Sequence, residues 1–215
     1  ERNIFLQALD NNFMQVQTMK TFINLKANET RSCIGCHEDR RQAPDHQAVL
    51  AMANRSVPFQ PMPQPGDSEV SRPLYYPTDV QPVFDKHCIR CHGGDSPKGK
   101  LDLSGSPTKF FTQSYEQLLD RGYVTGFNEW SKNPEDAAPA PPYSTGSHTS
   151  KLIRLLCNGH ENVKLSQAEL VRLVTWVDLN LPYYGSYYGK RNIKYKDTPG
   201  FRPAPTLSSA CGTSP

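Results

Sequence analysis

The stretch Val80-Gln81-Pro82-Val83-Phe84-Asp85-Lys86-His87-Cys88-Ile89-Arg90-Cys91-His92 decides the reading of this chain. Its apolar positions recur at steps of three and four, so Val80, Val83, Phe84, His87, Cys88 and Cys91 fall on one helical stripe. Thr78 or Asp79 is the expected N-cap, and Pro82 is tolerated in the first turn, where its missing N–H has no helical partner to lose. The stripe ends in C-x-x-C-H. Residues three apart on one turn share a face, so both sulfurs can reach one edge of a flat macrocycle while the following imidazole projects beneath its centre. That is the attachment pattern of c-type haem, in which thiols add to the vinyl groups and the histidine reaches the iron.

The same pattern stands earlier, as Cys33-Ile34-Gly35-Cys36-His37. A zinc site also uses C-x-x-C pairs, but it normally brings them together over roughly 12 to 20 residues, and Cys36 and Cys88 are much further apart. A thioredoxin-like dithiol needs one pair on a βαβ scaffold, and no such pattern is present. Two covalent haems c are therefore expected, one held by Cys33, Cys36 and His37 and one by Cys88, Cys91 and His92. Haem c is attached outside the cytoplasm, so a periplasmic or extracellular location is expected. Disulfides persist there, and a bridge between Cys157 and Cys211 is the simplest use of the two remaining cysteines. Thiol ligation of a metal and a cross-link to another chain are the alternatives.

Composition agrees with a chain that packs on something other than itself. Of 215 residues 36% are hydrophobic, with 19 Pro and 14 Gly, so the protein-only core is thin and long helical bundles are excluded. Two porphyrins would supply flat apolar partners for short stripes, and the apo-chain is not expected to fold. A net charge of +3 gives no nucleic-acid footprint; Arg40-Arg41 and the group Lys190, Arg191, Lys194 and Lys196 are the local basic clusters. No run of 18 apolar residues exists to span a membrane, and Glu1-Arg2-Asn3 is not a signal peptide. The chain is thus expected to have lost a targeting segment or to be part of a longer one.

The fold class expected is mainly α and loop-rich, with a short N-terminal β-hairpin and a cytochrome c-like second domain. Strands at Ile4–Leu9 and Phe13–Leu25 flank a turn at Asp10-Asn11-Asn12, leading into a first haem domain over 1–57 with a short helix at 47–53. A Pro-rich linker over 58–77 follows, then the second domain over 78–185 and an extended tail over 186–215. Residues 93–147 read mostly as loop. A helix is expected from Thr149 or Ser150, turning Leu152, Ile153, Leu155 and Leu156 inward and stopping at Gly159. The last begins at Ser166 with Glu169 three residues on, a capping box; its inner stripe is Leu170, Leu173, Val174 and Val177, and Pro182 ends it. Trp176 reads as a packing aromatic at the haem edge.

All four methionines precede the second motif, so the second domain has none of its own to offer as an axial ligand. His160, just ahead of the last helix, is the expected distal ligand of the second iron. His148 is the rival, or else a partner of the haem propionates. His87 reads as a surface histidine, with ligation or support of the neighbouring haem as the alternative. His46 lies too near His37 to cross the first macrocycle, so the first iron is five-coordinate or takes its ligand from another domain or chain.

Gln7-Ala8-Leu9-Asp10 through Met19, with Cys33-Ile34-Gly35-Cys36-His37-Glu38-Asp39-Arg40-Arg41, resembles the approach to the first haem in the hydrazine synthase alpha-subunit family. Gly146-Ser147-His148-Thr149-Ser150-Lys151-Leu152, Gly159-His160-Glu161-Asn162-Val163-Lys164-Leu165-Ser166, and Trp176-Val177-Asp178-Leu179-Asn180 with Pro182-Tyr183-Tyr184-Gly185 are similar to its C-terminal haem domain. The second half also resembles planctomycete-type cytochrome c domains. The resemblance implies a bis-histidine second haem. It also implies a β-propeller ahead of the first haem, which is not here, and a tyrosine ligand soon after the first motif. The first tyrosine after His37 is Tyr75, and Arg41 stands in the region where that ligand would fall.

Three functions use these features. The first is electron transfer, as a shuttle, a subunit of a multihaem complex or a unit of a filament, with other cytochromes or copies of this chain as redox partners. The second is a haem enzyme, hydrazine-synthase-like or otherwise, whose open first haem acts on a small nitrogen species or peroxide beside Glu38, Asp39, Arg40, Arg41 and His46. The third is a sensor of diatomic gases.

Overall fold

The computed structural model describes residues 2–19, 22–26, 29, 62–67, 74–126 and 140–184. The first C-x-x-C-H motif, residues 38–41, His46, the expected helix at 47–53, Cys211 and the tail lie outside them.

The N-terminal hairpin forms around the expected turn. Asp10 Oδ1 accepts from the amides of Asn12 at 2.8 Å and Met14 at 2.9 Å, and Phe13 takes the left-handed conformation that closes the loop. Strand β2 (Gln7–Leu9) pairs antiparallel with β3 (Gln15–Thr18), and β1 (Arg2–Ile4) with β4 (Ile23–Leu25). The expected continuous strands are thus two short pairs in series, interrupted at Phe5-Leu6 and irregular between Ala8 and Leu9.

The helix leading to the second motif starts earlier than its sequence suggests. Tyr75 is the N-cap of α1 (Tyr76–Asp79), and Asp79 folds back so that its Oδ2 accepts the Tyr75 amide at 2.7 Å. Val80 then joins α1 to α2 (Gln81–His87). Pro82 explains the joint: it has no N–H to give the Thr78 carbonyl, so one continuous ladder cannot run through it. Helix α3 (Gln113–Asp120) stands where loop was expected. Helix α4 (Lys151–Asn158) is capped by Ser150, whose side chain accepts from the Ile153 amide, and stops at Gly159 with φ +90°. Helix α5 (Gln167–Asp178) opens on the complete Ser166/Glu169 capping box. It ends at Asp178, before Pro182. Asn180 turns left-handed and the Leu181 amide reaches back to the Trp176 carbonyl at 3.0 Å, which satisfies the helix end without the proline.

These five helices share one core, with Tyr76, Val80, Phe84, Leu118, Ile153, Val174 and Trp176 fully enclosed. Trp176 lies in its middle, its ring 5.1 Å from Tyr76 and 6.1 Å from Tyr115. Leu155, expected inward, is 38% exposed. At 100° per residue it lies roughly a quarter-turn off the centre of the stripe made by Leu152, Ile153 and Leu156.

A polar joint fastens the hairpin to this helical layer. Asp178, 1% exposed, accepts from the Ser147 amide at 2.6 Å, the Ser147 hydroxyl at 2.8 Å and the Gln15 amide at 3.0 Å. Its own carbonyl accepts from Gln7 Nε2 at 2.7 Å. Burial pushes the Asp178 carboxyl above the usual range, and the Ser147 and Gln15 bonds partly offset this. Gly146, at φ +67°, is required here, because a Cβ would run into Asp178 Oδ1.

Candidate metal centre

The second motif sits on the winding turn that follows α2. The Cys88 and Ile89 amides both bond the Phe84 carbonyl, and the Cys91 and His92 amides both bond the Cys88 carbonyl. Regular helix ends at His87 and the motif continues it as turns. The expected stripe holds, since Val80, Val83, Phe84, His87, Cys88 and Cys91 are buried or half-buried while Pro82, Asp85, Lys86, Ile89 and Arg90 between them are exposed. Both thiols are half-buried. Burial pushes the Cys88 thiol up to about 11, with Cys91 adding to the effect, so Cys88 is protonated at neutral pH.

His92 has a fixed orientation. Its Nδ1 lies 3.0 Å from the Lys98 carbonyl. A carbonyl only accepts, so Nδ1 carries a proton, and the lone pair of the neutral ring is on Nε2. The chain after the motif is laced to it as well, through Lys98 N to Cys91 O at 2.8 Å and Leu103 N to His92 O at 2.6 Å.

His160, on the loop between α4 and α5, faces this ring. The two imidazole centres are 6.0 Å apart and their planes are within 23° of parallel. A metal bound to one nitrogen of each ring at about 2 Å would separate the ring centres by roughly this distance. The Gly159 stop and two left-handed residues, Glu161 and Asn162, turn the chain on either side of His160. Among the described residues no three His, Cys, Asp or Glu side chains converge as a protein-only metal cage would require.

The other candidates stand apart. His148 Nε2 lies 3.2 Å from Asp10 Oδ2 without the alignment of a hydrogen bond, and its ring meets Tyr143 edge-on at 5.0 Å. His87 is not a surface group: its side chain is 15% exposed and its Nε2 bonds Glu169 at 3.0 Å. Lys86 reaches the same Glu169 oxygen at 2.7 Å, and this bond, with the Ser166 amide, holds the Glu169 carboxyl far below the usual range. The α5 capping box is thereby tied to the helix that delivers the motif. Cys157 is an exposed thiol. The Lys98 carbonyl and the Glu169 anchor were missed in the sequence; the capping box itself was the one available hint, since it places a carboxylate at the start of α5.

No helix among the described residues is long and apolar enough to cross a membrane. No curated protein and no solved structure matches the chain. Over residues 1–38, the hairpin and the first C-x-x-C-H motif, the chain is similar to the family described as the hydrazine synthase alpha subunit middle domain.

Proposed function

We propose that this chain is a dihaem c-type cytochrome acting outside the cytoplasmic membrane, and that its second haem transfers electrons. The observation that carries the reading is the facing pair His92 and His160 beside two half-buried cysteines. The donor set suits the group. A porphyrin brings four nitrogens of its own, so two protein imidazoles complete the iron and no larger cluster of ligands is needed. When bound, haem c supplies one-electron redox chemistry at iron.

The protein's residues have separate tasks in this reading. Cys88 and Cys91 would hold the group covalently, and His92 would offer it Nε2, because the Lys98 carbonyl occupies Nδ1. His160 would be the second protein ligand, and an iron held by both imidazoles would be restricted to outer-sphere electron transfer. The Lys86, His87 and Glu169 anchor ties the helix ahead of the motif to the start of α5, which follows the loop carrying His160. Other cytochromes or copies of this chain are the proposed redox partners.

The similarity of residues 1–38 to a hydrazine synthase domain favours a second reading, an enzyme whose open first haem acts on a small nitrogen species. Reduced protein exposed to carbon monoxide separates the two. No spectral change leaves electron transfer alone; a shift of half the haem supports the enzyme, or a gas sensor.

A further inference from the structure

We propose that Arg121 is a positioning residue for His92, acting through the turn Lys98–Lys100; this rests on His92 being an iron ligand, as proposed above. The Lys98 carbonyl that fixes the imidazole belongs to a short 3₁₀ turn of unusual backbone. Gly99 has φ +64° and Lys100 φ +56°. Lys100 is not glycine, and a side-chain-bearing residue in this region costs about 1–3 kcal/mol and persists only where its surroundings enforce it. Arg121 is the enforcing group. Its Nη1 donates to the Gly99 carbonyl at 3.2 Å and its Nη2 to the Lys100 carbonyl.

The fork of a guanidinium can hold two neighbouring carbonyls in one plane; an ammonium on a flexible stem cannot. Arg121 is itself well placed as the C-cap of α3, its amide bonded to the Gln117 carbonyl at 3.1 Å. Gln117 braces the far end of the same segment, its Oε1 accepting the Asp102 amide at 2.9 Å. The C-terminal turn of α3 is thus a template on which 98–102 is laid, and through Lys98 it sets how firmly His92 Nδ1–H is held. A firmly held proton makes Nε2 a stronger donor and favours ferric iron.

The variant R121K tests this because it keeps the charge and loses the fork. The expected result is a retained low-spin spectrum, exchange of the His92 Nδ1 proton about tenfold faster, matching the loss of roughly one hydrogen bond, and a raised potential of the haem that responds to His160→Ala. A tenfold change in the ferrous-to-ferric ratio corresponds to about 59 mV. R121Q should speed the exchange equally; its removed charge alone would lower the potential, so the two variants separate positioning from electrostatics. R121K with unchanged exchange and potential, on a wild-type protein that shows bis-histidine ligation, overturns the inference and leaves the proposed function standing. A wild-type second haem lacking histidine ligation overturns both.

Discussion

Replacing Asp178 by alanine should release the N-terminal hairpin from the helical layer. The carboxylate accepts three hydrogen bonds, from Ser147 N, Ser147 Oγ and Gln15 N, at 2.6 to 3.0 Å, and is almost wholly enclosed. Its removal strands two backbone amides and a hydroxyl. A buried donor left without an acceptor costs about 1–3 kcal/mol, and water entering the space left by the side chain can satisfy some of them. The expected total is about 3–5 kcal/mol, the range for breaking a buried charged network from one side. Asp178→Asn keeps one acceptor but turns an amide against a donor, so about half that loss is expected. Urea unfolding followed by far-UV circular dichroism gives the global figure. Hydrogen exchange gives the local one, with the Gln15 amide and its β3 neighbours losing protection before the helices do. A loss below about 1 kcal/mol in the alanine variant, with Gln15 still protected, would refute the claim that this carboxylate is the joint.

Four further outcomes follow from the same geometry. Gly146→Ala should destabilise by about 2–4 kcal/mol in thermal melts, since it combines a left-handed backbone with a collision at Asp178; a neutral result would contradict the packing there. The Glu169 carboxyl is held below its ordinary 4.5, so its contribution to stability is fully present above that pH and is lost as pH falls below it toward the depressed folded value. Acid titration of Glu169→Gln should lack that component, and an unchanged acid limb would show the anchor to be idle. Near-parallel planes of His92 and His160 call for a rhombic low-spin electron paramagnetic resonance signal from the second haem, whereas crossed planes give a highly anisotropic one. Cleaving the thioethers to remove both haems should abolish the cooperative melt, and an apo-chain with a sigmoidal transition would contradict the dependence of the fold on the group.

What the sequence showed and what it hid divide along the range of the interactions. The Ser150 cap, the Ser166/Glu169 box, the Gly159 stop and the Asp10 turn are each settled within four residues, and each stands as read. Helix α3 was missed because Thr112 makes no side-chain cap bond and its apolar residues, Tyr115, Leu118 and Leu119, are too few to show a period. Asp178 carries no local signal of its role as the joint. Its partners are Ser147 and Gln15, far away in the chain, and no local pattern reports them. That His160 lies beside His92 was legible from its place just ahead of the last helix, from the lack of a methionine after the second motif, and from the resemblance. The Lys98 carbonyl was not, because a backbone acceptor carries no residue-type signal.

The most direct test of the central claim uses the double variant Cys33→Ser/Cys36→Ser, which leaves only the second attachment site, reduced and exposed to carbon monoxide. The expected result is a six-coordinate low-spin spectrum that carbon monoxide does not change, and that becomes carbon-monoxide-sensitive when His160→Ala is added. A carbon monoxide adduct in the double variant itself would show an open iron and contradict closure by His92 and His160.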